Sequence, residues 1–152
     1  MSLDLSKVLQ EFKNEGFKDG DLISHDWLHY ALEINSAEAA KEPFLILERV
    51  ESFKNELLTS QHIALQNVRG KGYRIVPASE QARFAAEQAA HYISKGLIKA
   101  QTLLDHTRKD NLTTAELKRH TDTEVRMSAL AGMIAKGRRD VFEIFDPVKR
   151  IA

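Results

Sequence analysis

Hydrophobic positions in the first part of the chain recur with a helical period. Leu5, Val8, Leu9 and Phe12 fall at i, i+3, i+4 and i+7 and predict an amphipathic helix from Leu5 to Glu15, punctuated at its end by Gly16 and Gly20. Ser24 is placed to cap a second, short helix from His25 to about Leu32, with Trp27, Leu28 and Ala31 on one face. A third helix follows the break at Asn35-Ser36-Ala37. Pro43 stands in the first turn of its main body, which runs to about Leu58 with Ile46, Val50, Phe53 and Leu57 as the buried stripe.

The period then changes from helical to alternating. Ile63 and Leu65 alternate with Ala64 and Gln66, and Tyr73 and Ile75 with Arg74 and Val76. Between them lies Arg69-Gly70-Lys71-Gly72, where two glycines supply positive φ. This pattern predicts a β-hairpin with a basic tip.

Beyond Pro77 the chain reads as helical again. Ser79 is placed to cap a predicted helix to about His106, with a heptad-like seam of Ala85, Ala89, Tyr92 (with Ile93), Gly96 (with Leu97), Ala100 and Leu103 (with Leu104). A polar loop, Arg108-Lys109-Asp110-Asn111, precedes a capping box formed by Thr113 and Glu116. The last helix is expected to reach about Lys136, with Gly137 as its C-cap. Its small residues Ala129, Gly132 and Ala135 permit close helix approach. Asp140 to Phe145 alternates as a short strand does, but over six residues only. The expected fold is mostly α with one β-hairpin. It divides into a domain at 1–77, a long antiparallel helical hairpin at 78–139 that serves as a dimerisation arm, and a tail at 140–152.

Composition narrows the chemistry. The chain has 152 residues and no cysteine, which removes disulfide scaffolds, thiol catalysis and thiolate zinc sites. No run approaches the roughly 18 apolar residues of a membrane span, and the N-terminus lacks the plan of a signal peptide, so a cytoplasmic protein without membrane contact is expected. Twenty-two basic residues balance 22 acidic ones, yet residues 1–60 hold 12 acids against 6 bases and the remainder 10 against 16. Such a split points to a polyanion-facing surface, or to halves that attract each other or a second copy.

The segment Val68-Arg69-Gly70-Lys71-Gly72-Tyr73-Arg74-Ile75, preceded by three helices, resembles the Arg-Gly-x-Gly-Tyr turn of the winged-helix DNA-binding effector domain of response regulators. Upstream, Gly20-Asp21-Leu22-Ile23-Ser24-His25-Asp26-Trp27-Leu28 is similar to that family's lead-in to the helix before the recognition helix. The likeness covers about residues 20–77; the long C-terminal helices have no counterpart in that family. It implies a winged-helix-like N-terminal domain in which residues 43–58 are the recognition helix. Arg69, Lys71 and Arg74 then form a wing on backbone phosphates or the minor groove, Arg49, Ser52 and Asn55 read bases, and Lys54 meets a phosphate.

Two functions stay open on these residues. The first is a non-enzymatic DNA-binding regulator of transcription or replication, with double-stranded DNA as partner and a homodimeric state. The second follows from charge. The third helix carries Glu48, Glu51 and Glu56 against Arg49 and Lys54, whereas groove-entering helices present Arg, Lys, Asn and Gln. The alternative is therefore a protein-interaction factor that docks a partner through this acidic helix and the helical hairpin.

Other chemistry is sparse. His25 and His29 stand at i and i+4, a spacing that lets two imidazoles address one metal, but no third ligand is recognisable, and surface or packing histidines are expected. His106 and His120 flank the hairpin loop, and no catalytic motif, metal or cofactor is expected. Lys136, Arg138 and Arg139 cluster where the macrodipole favours cations, with a phosphate contact or a salt link to an acidic partner as their other use.

Overall fold

The computed structural model describes residues 3–146 of the chain. They form a mostly helical protein with a small three-stranded antiparallel sheet, divided into two compact units, Met1–Gln81 and Ala82–Ala152.

The first unit begins with α1 (Leu5–Glu15), capped by Asp4, whose side chain accepts from the Ser6 amide at 3.1 Å. Gly16 ends the helix in the left-handed conformation, φ 70°. Strand β1 (Leu22–Ser24) leads into α2 (His25–Ala31), and the Ser24 hydroxyl accepts from the Trp27 amide at 3.2 Å, the cap foreseen at that residue. Two helices follow in place of the single one expected: α3 (Ser36–Lys41) and α4 (Pro43–Gln61), the latter opened by Pro43 at its first positions. Strands β2 (Leu65–Val68) and β3 (Gly72–Ile75) make the expected hairpin.

The sheet is larger than one hairpin. Its order is β1-β3-β2, with Ile23 opposite Tyr73 and Asn67 opposite Tyr73 on the other side. Three residues of β1 are too few for alternation to announce a strand, so this third strand went unread. Its pairing explains Gly72. At φ 142°, a Cβ on that residue would collide with the Ile23 carbonyl, so glycine is what lets β1 close on β3.

A single core holds the unit together. Val8 and Phe12 of α1, Ile23, Leu28 and Leu32, Val50, Phe53 and Leu57 of α4, and Leu65 and Ile75 of the hairpin are buried in one cluster. Phe53 is fully buried and meets the Phe12 ring edge-on at 6.1 Å. The foreseen α4 stripe is therefore the one that packs, with Ile46 half-buried at its start.

The second unit consists of α5 (Gln81–Asp105), entered through a 3-10 turn at Ala78–Glu80, and α6 (Thr114–Glu143). The capping box forms as read: the Thr113 hydroxyl accepts from the Glu116 amide at 3.2 Å, and the Glu116 carboxylate accepts from the Thr113 amide at 3.0 Å. Those bonds, the backbone one first, hold the Glu116 carboxyl below its ordinary value.

Three sequence expectations need correcting here. Helix α6 does not stop at Gly137 but runs to Glu143, because a glycine inside a helix weakens it by only about 1 kcal/mol and does not break it. Asp140 to Glu143 is accordingly helical and not strand-like; residues 147–152 of the tail lie outside those described. The α5 seam holds only in part, at Ala100 and at the Leu97 and Leu104 named beside it. Ala86, Ala90, Leu97, Ala100 and Leu104 are half-buried, whereas Ala85, Ala89, Tyr92, Gly96 and Leu103 are exposed. Two neighbouring apolar stripes run along α5, and periodicity alone does not say which one is the less exposed.

Candidate nucleic-acid interface

The seven residues expected to contact DNA are all in the first unit, on α4 and the β2–β3 hairpin, and the structure gives them different occupations. Arg69 and Lys71 sit exposed at the hairpin tip, in a turn closed by the Lys71 amide donating to the Val68 carbonyl at 3.0 Å. Gly70 takes φ 76° in that turn, so the two cations are presented by a short, rigid loop. Neither has an ion-pair partner among the described residues.

Arg74 is on the β3 strand and half-buried, and its Nη2 lies 2.9 Å from Glu80 Oε2. That acid, six residues on, was beyond the reach of a motif reading centred on the hairpin. Lys54 is also engaged. Its Nζ is 3.4 Å from Glu51 Oε1 and 5.2 Å from the centre of the Tyr73 ring, a cation–π contact that ties α4 to the hairpin.

Arg49 has a structural task. Its Nη1 donates to the carbonyl of Leu32 at 3.2 Å and of Glu33 at 3.1 Å. These are carbonyls left without helical partners where α2 ends, and Glu33 there has φ 56°, unusual for a residue with a side chain. Both bonds use Nη1, which holds the guanidinium at that turn. Asn55 and Ser52 do lie exposed on α4.

The outward side of α4 is acidic and apolar. Glu48 and Glu51 are exposed there, beside Phe44 at 82% exposure and Leu47 at 58%. Phe44 and Leu47 fall off the Ile46–Val50–Phe53–Leu57 stripe, which is the sequence signal that could have marked them as outward-facing. Of the cations among these residues, Arg69 and Lys71 are the exposed ones without an ion-pair partner among the described residues, and Asn55 and Ser52 are exposed neutral hydrogen-bonding groups on α4.

His25 and His29 have ring centres 6.4 Å apart, and His25 also meets the Tyr73 ring edge-on at 6.2 Å. No group of three or more histidine, aspartate or glutamate side chains suited to a metal ion occurs among the described residues. No helix among them is long and apolar enough to cross a membrane. In comparisons with known proteins, no family model, curated protein or solved structure matches the chain.

Proposed function

We propose that this protein is a non-enzymatic, cytoplasmic DNA-binding regulator whose first unit is a winged helix, led onto the duplex by its wing. The observation that carries the reading is the exposed pair Arg69 and Lys71 at the tip of a hairpin locked to α4 by the Lys54–Tyr73 contact. The element order α1, β1, α2, α3, α4, β2, β3 and the sheet order β1-β3-β2 support the winged-helix reading. In this reading α5 and α6 form an antiparallel hairpin. Contacts at its two ends support that: Arg83 Nη2 with Asp146 Oδ2 at 3.5 Å, and Thr107 Oγ1 with His120 Nε2 at 2.8 Å.

The wing does most of the docking, because α4 brings no unengaged cation to its outward face. Two tip cations neutralise about two phosphates, so log affinity falls with log salt at a slope of about −2 per chain. Between 50 and 200 mM salt the affinity then drops roughly tenfold, far less than for a protein with many phosphate contacts. Fluorescence anisotropy on random-sequence duplex DNA at the two salt concentrations tests this. Salt-sensitive binding supports the proposal, and no binding at 50 mM overturns it.

One observation favours a second reading. The exposed Phe44 and Leu47 beside Glu48 and Glu51 suit a protein partner with an apolar, basic surface better than a phosphate backbone. Loss of a copurifying partner on Phe44→Ala, with duplex binding absent, is the result that would select it.

A further inference from the structure

The apolar side of α5 and α6 lies outside the DNA contact, and the inference from it rests only on the antiparallel hairpin of that reading. No described residue of either helix is buried, so the pair has no core of its own. A helical unit of this length needs a buried apolar stripe to be stable. The seam between the two helices also holds an open apolar groove of about 320 Å³, walled by Ala89, Ile93, Ile134, Gly137, Val141 and Phe142. The chain's own side chains leave that groove unfilled.

Six of the large exposed apolar residues fall on two stripes, while Leu117, Ile98 and Val125 lie elsewhere on the helices. At about 100° per residue, Ala85, Ala89, Tyr92, Gly96 and Leu103 lie some 110° round α5 from its half-buried seam. Leu130, Met133, Gly137, Val141 and Ile144 lie about 110° round α6 from its own seam, in the same rotational sense. Because the helices run in opposite directions, the two stripes emerge on one flank. Each stripe has one exposed charged residue at its edge, Lys99 on α5 and Asp140 on α6.

We propose that this flank binds a second copy of the chain, with α5 of one copy lying against α6 of the other in a closed four-helix bundle. Area is the first argument. Tyr92 (67% exposed), Leu103 (68%), Leu130 (45%), Met133 (71%), Val141 (43%) and Ile144 (74%) together expose surface on the order of 700 Å², close to the roughly 800 Å² per partner of a stable interface.

Self-complementarity is the second. A two-fold contact sets one patch against itself, so the patch must carry both projections and hollows. Arg83 lies level with Asp146, and Thr107 with His120. Tyr92 is therefore level with Gly137, and Met133 with Gly96. A two-fold axis along the bundle puts each large side chain against the glycine of the other copy.

The glycines supply the third argument. Gly96 and Gly137 lie inside helices, where each is less favourable than alanine by about 1 kcal/mol. A Cβ built on either meets nothing within 4 Å in this chain, so packing within the chain gives no reason for them. A second copy does.

The same open space makes the test selective. Gly96→Leu and Gly137→Leu fill room that is empty in one chain and improve helix propensity, so each variant keeps its helicity while losing the partner. Sedimentation velocity on the full chain should show the wild type at twice 17.2 kDa and each variant with a dissociation constant raised at least tenfold, at unchanged circular dichroism. Position is tested by mixing a Tyr92→Cys chain with a Gly137→Cys chain. Because the sequence has no cysteine, a disulfide between the two reports that pairing alone. A wild type that is monomeric at 100 μM, a larger assembly, an unchanged dissociation constant in both leucine variants, or a dimer that refuses the cross-link would each overturn the proposal.

Discussion

Replacing Arg49 with alanine separates a structural arginine from a DNA-reading one. The side chain is half-buried and donates from Nη1 to the Leu32 carbonyl at 3.2 Å and the Glu33 carbonyl at 3.1 Å. Hydrogen bonds to a charged group contribute about 1.5–3 kcal/mol each when shielded, and considerably less in contact with water. One of these two is at an exposed position, so the pair together is worth about 2 kcal/mol. Losing it lowers the folded-to-unfolded ratio about thirtyfold. With a urea dependence of about 1–1.5 kcal/mol per molar for a small unit, the midpoint falls by roughly 1.5 M.

Trp27 makes the measurement specific. It is the only tryptophan and packs in the first unit against Phe17 at 5.3 Å and Phe12 at 6.2 Å, so its fluorescence follows that unit's unfolding. Arg49→Lys keeps the charge without the planar fork and should fall between the two. Arg69→Ala, at the exposed tip, should move the midpoint by less than about 0.5 kcal/mol equivalent. An Arg49→Ala midpoint within about 0.3 M of the wild type would refute the clamp assignment, since the magnitude argued above is several times that.

Other consequences follow from the same geometry. Gly72→Ala should destabilise the first unit by about 3 kcal/mol, because its Cβ would meet the Ile23 backbone, whereas Gly70→Ala meets nothing within 4 Å and acts only through its positive φ; urea titration of both compares them. Thr113→Ala removes the α6 cap and should lower stability by about 1 kcal/mol, read from helicity at 222 nm. Bonding to Thr113 lowers the Glu116 carboxyl from its ordinary value in the folded chain. Its contribution is thus complete above the unfolded value of 4.5 and is lost as pH falls through the lower folded one. Glu116→Gln, which still accepts a hydrogen bond, should reduce the acid-induced loss of helicity below that pH, and an unchanged acid transition would contradict the assignment. His120 joins the 106–113 connection to α6, with Nε2 2.8 Å from Thr107 Oγ1 and Nδ1 2.7 Å from Glu124 Oε1, the latter close enough for an ion pair but without hydrogen-bond geometry. His120→Ala should lower the melting temperature at neutral pH by a few degrees.

The legible parts of the fold are those in which a local rule has one outcome. Ser24 and Thr113 stand where only a cap makes sense, and both cap. The Val50–Phe53–Leu57 stripe is strongly periodic and buried. Strand β1 was illegible because its identity rests on pairing with β3, fifty residues away, and not on its own three residues. The α5 seam was legible as a period and only in part as a face, since stripes one residue apart satisfy the same heptad spacing. At the candidate site, charge type could be read, and engagement could not. Arg49, Lys54 and Arg74 look like any surface cation in the sequence, and only the fold reveals the Leu32 carbonyl, the Tyr73 ring and Glu80 that occupy them. Arg69 and Lys71, set beside glycines in a tight turn, have no local partner and kept the exposure their motif implied.

The central claim is that the hairpin tip carries the contact with DNA. The most direct measurement is the salt dependence of duplex affinity for the wild type and for the Arg69→Ala/Lys71→Ala double variant, with Trp27 fluorescence confirming that both are folded. The account predicts a log–log slope of about −2 for the wild type that falls close to zero in the variant, along with most of the affinity at 50 mM salt. A variant that binds with the wild-type slope would contradict it.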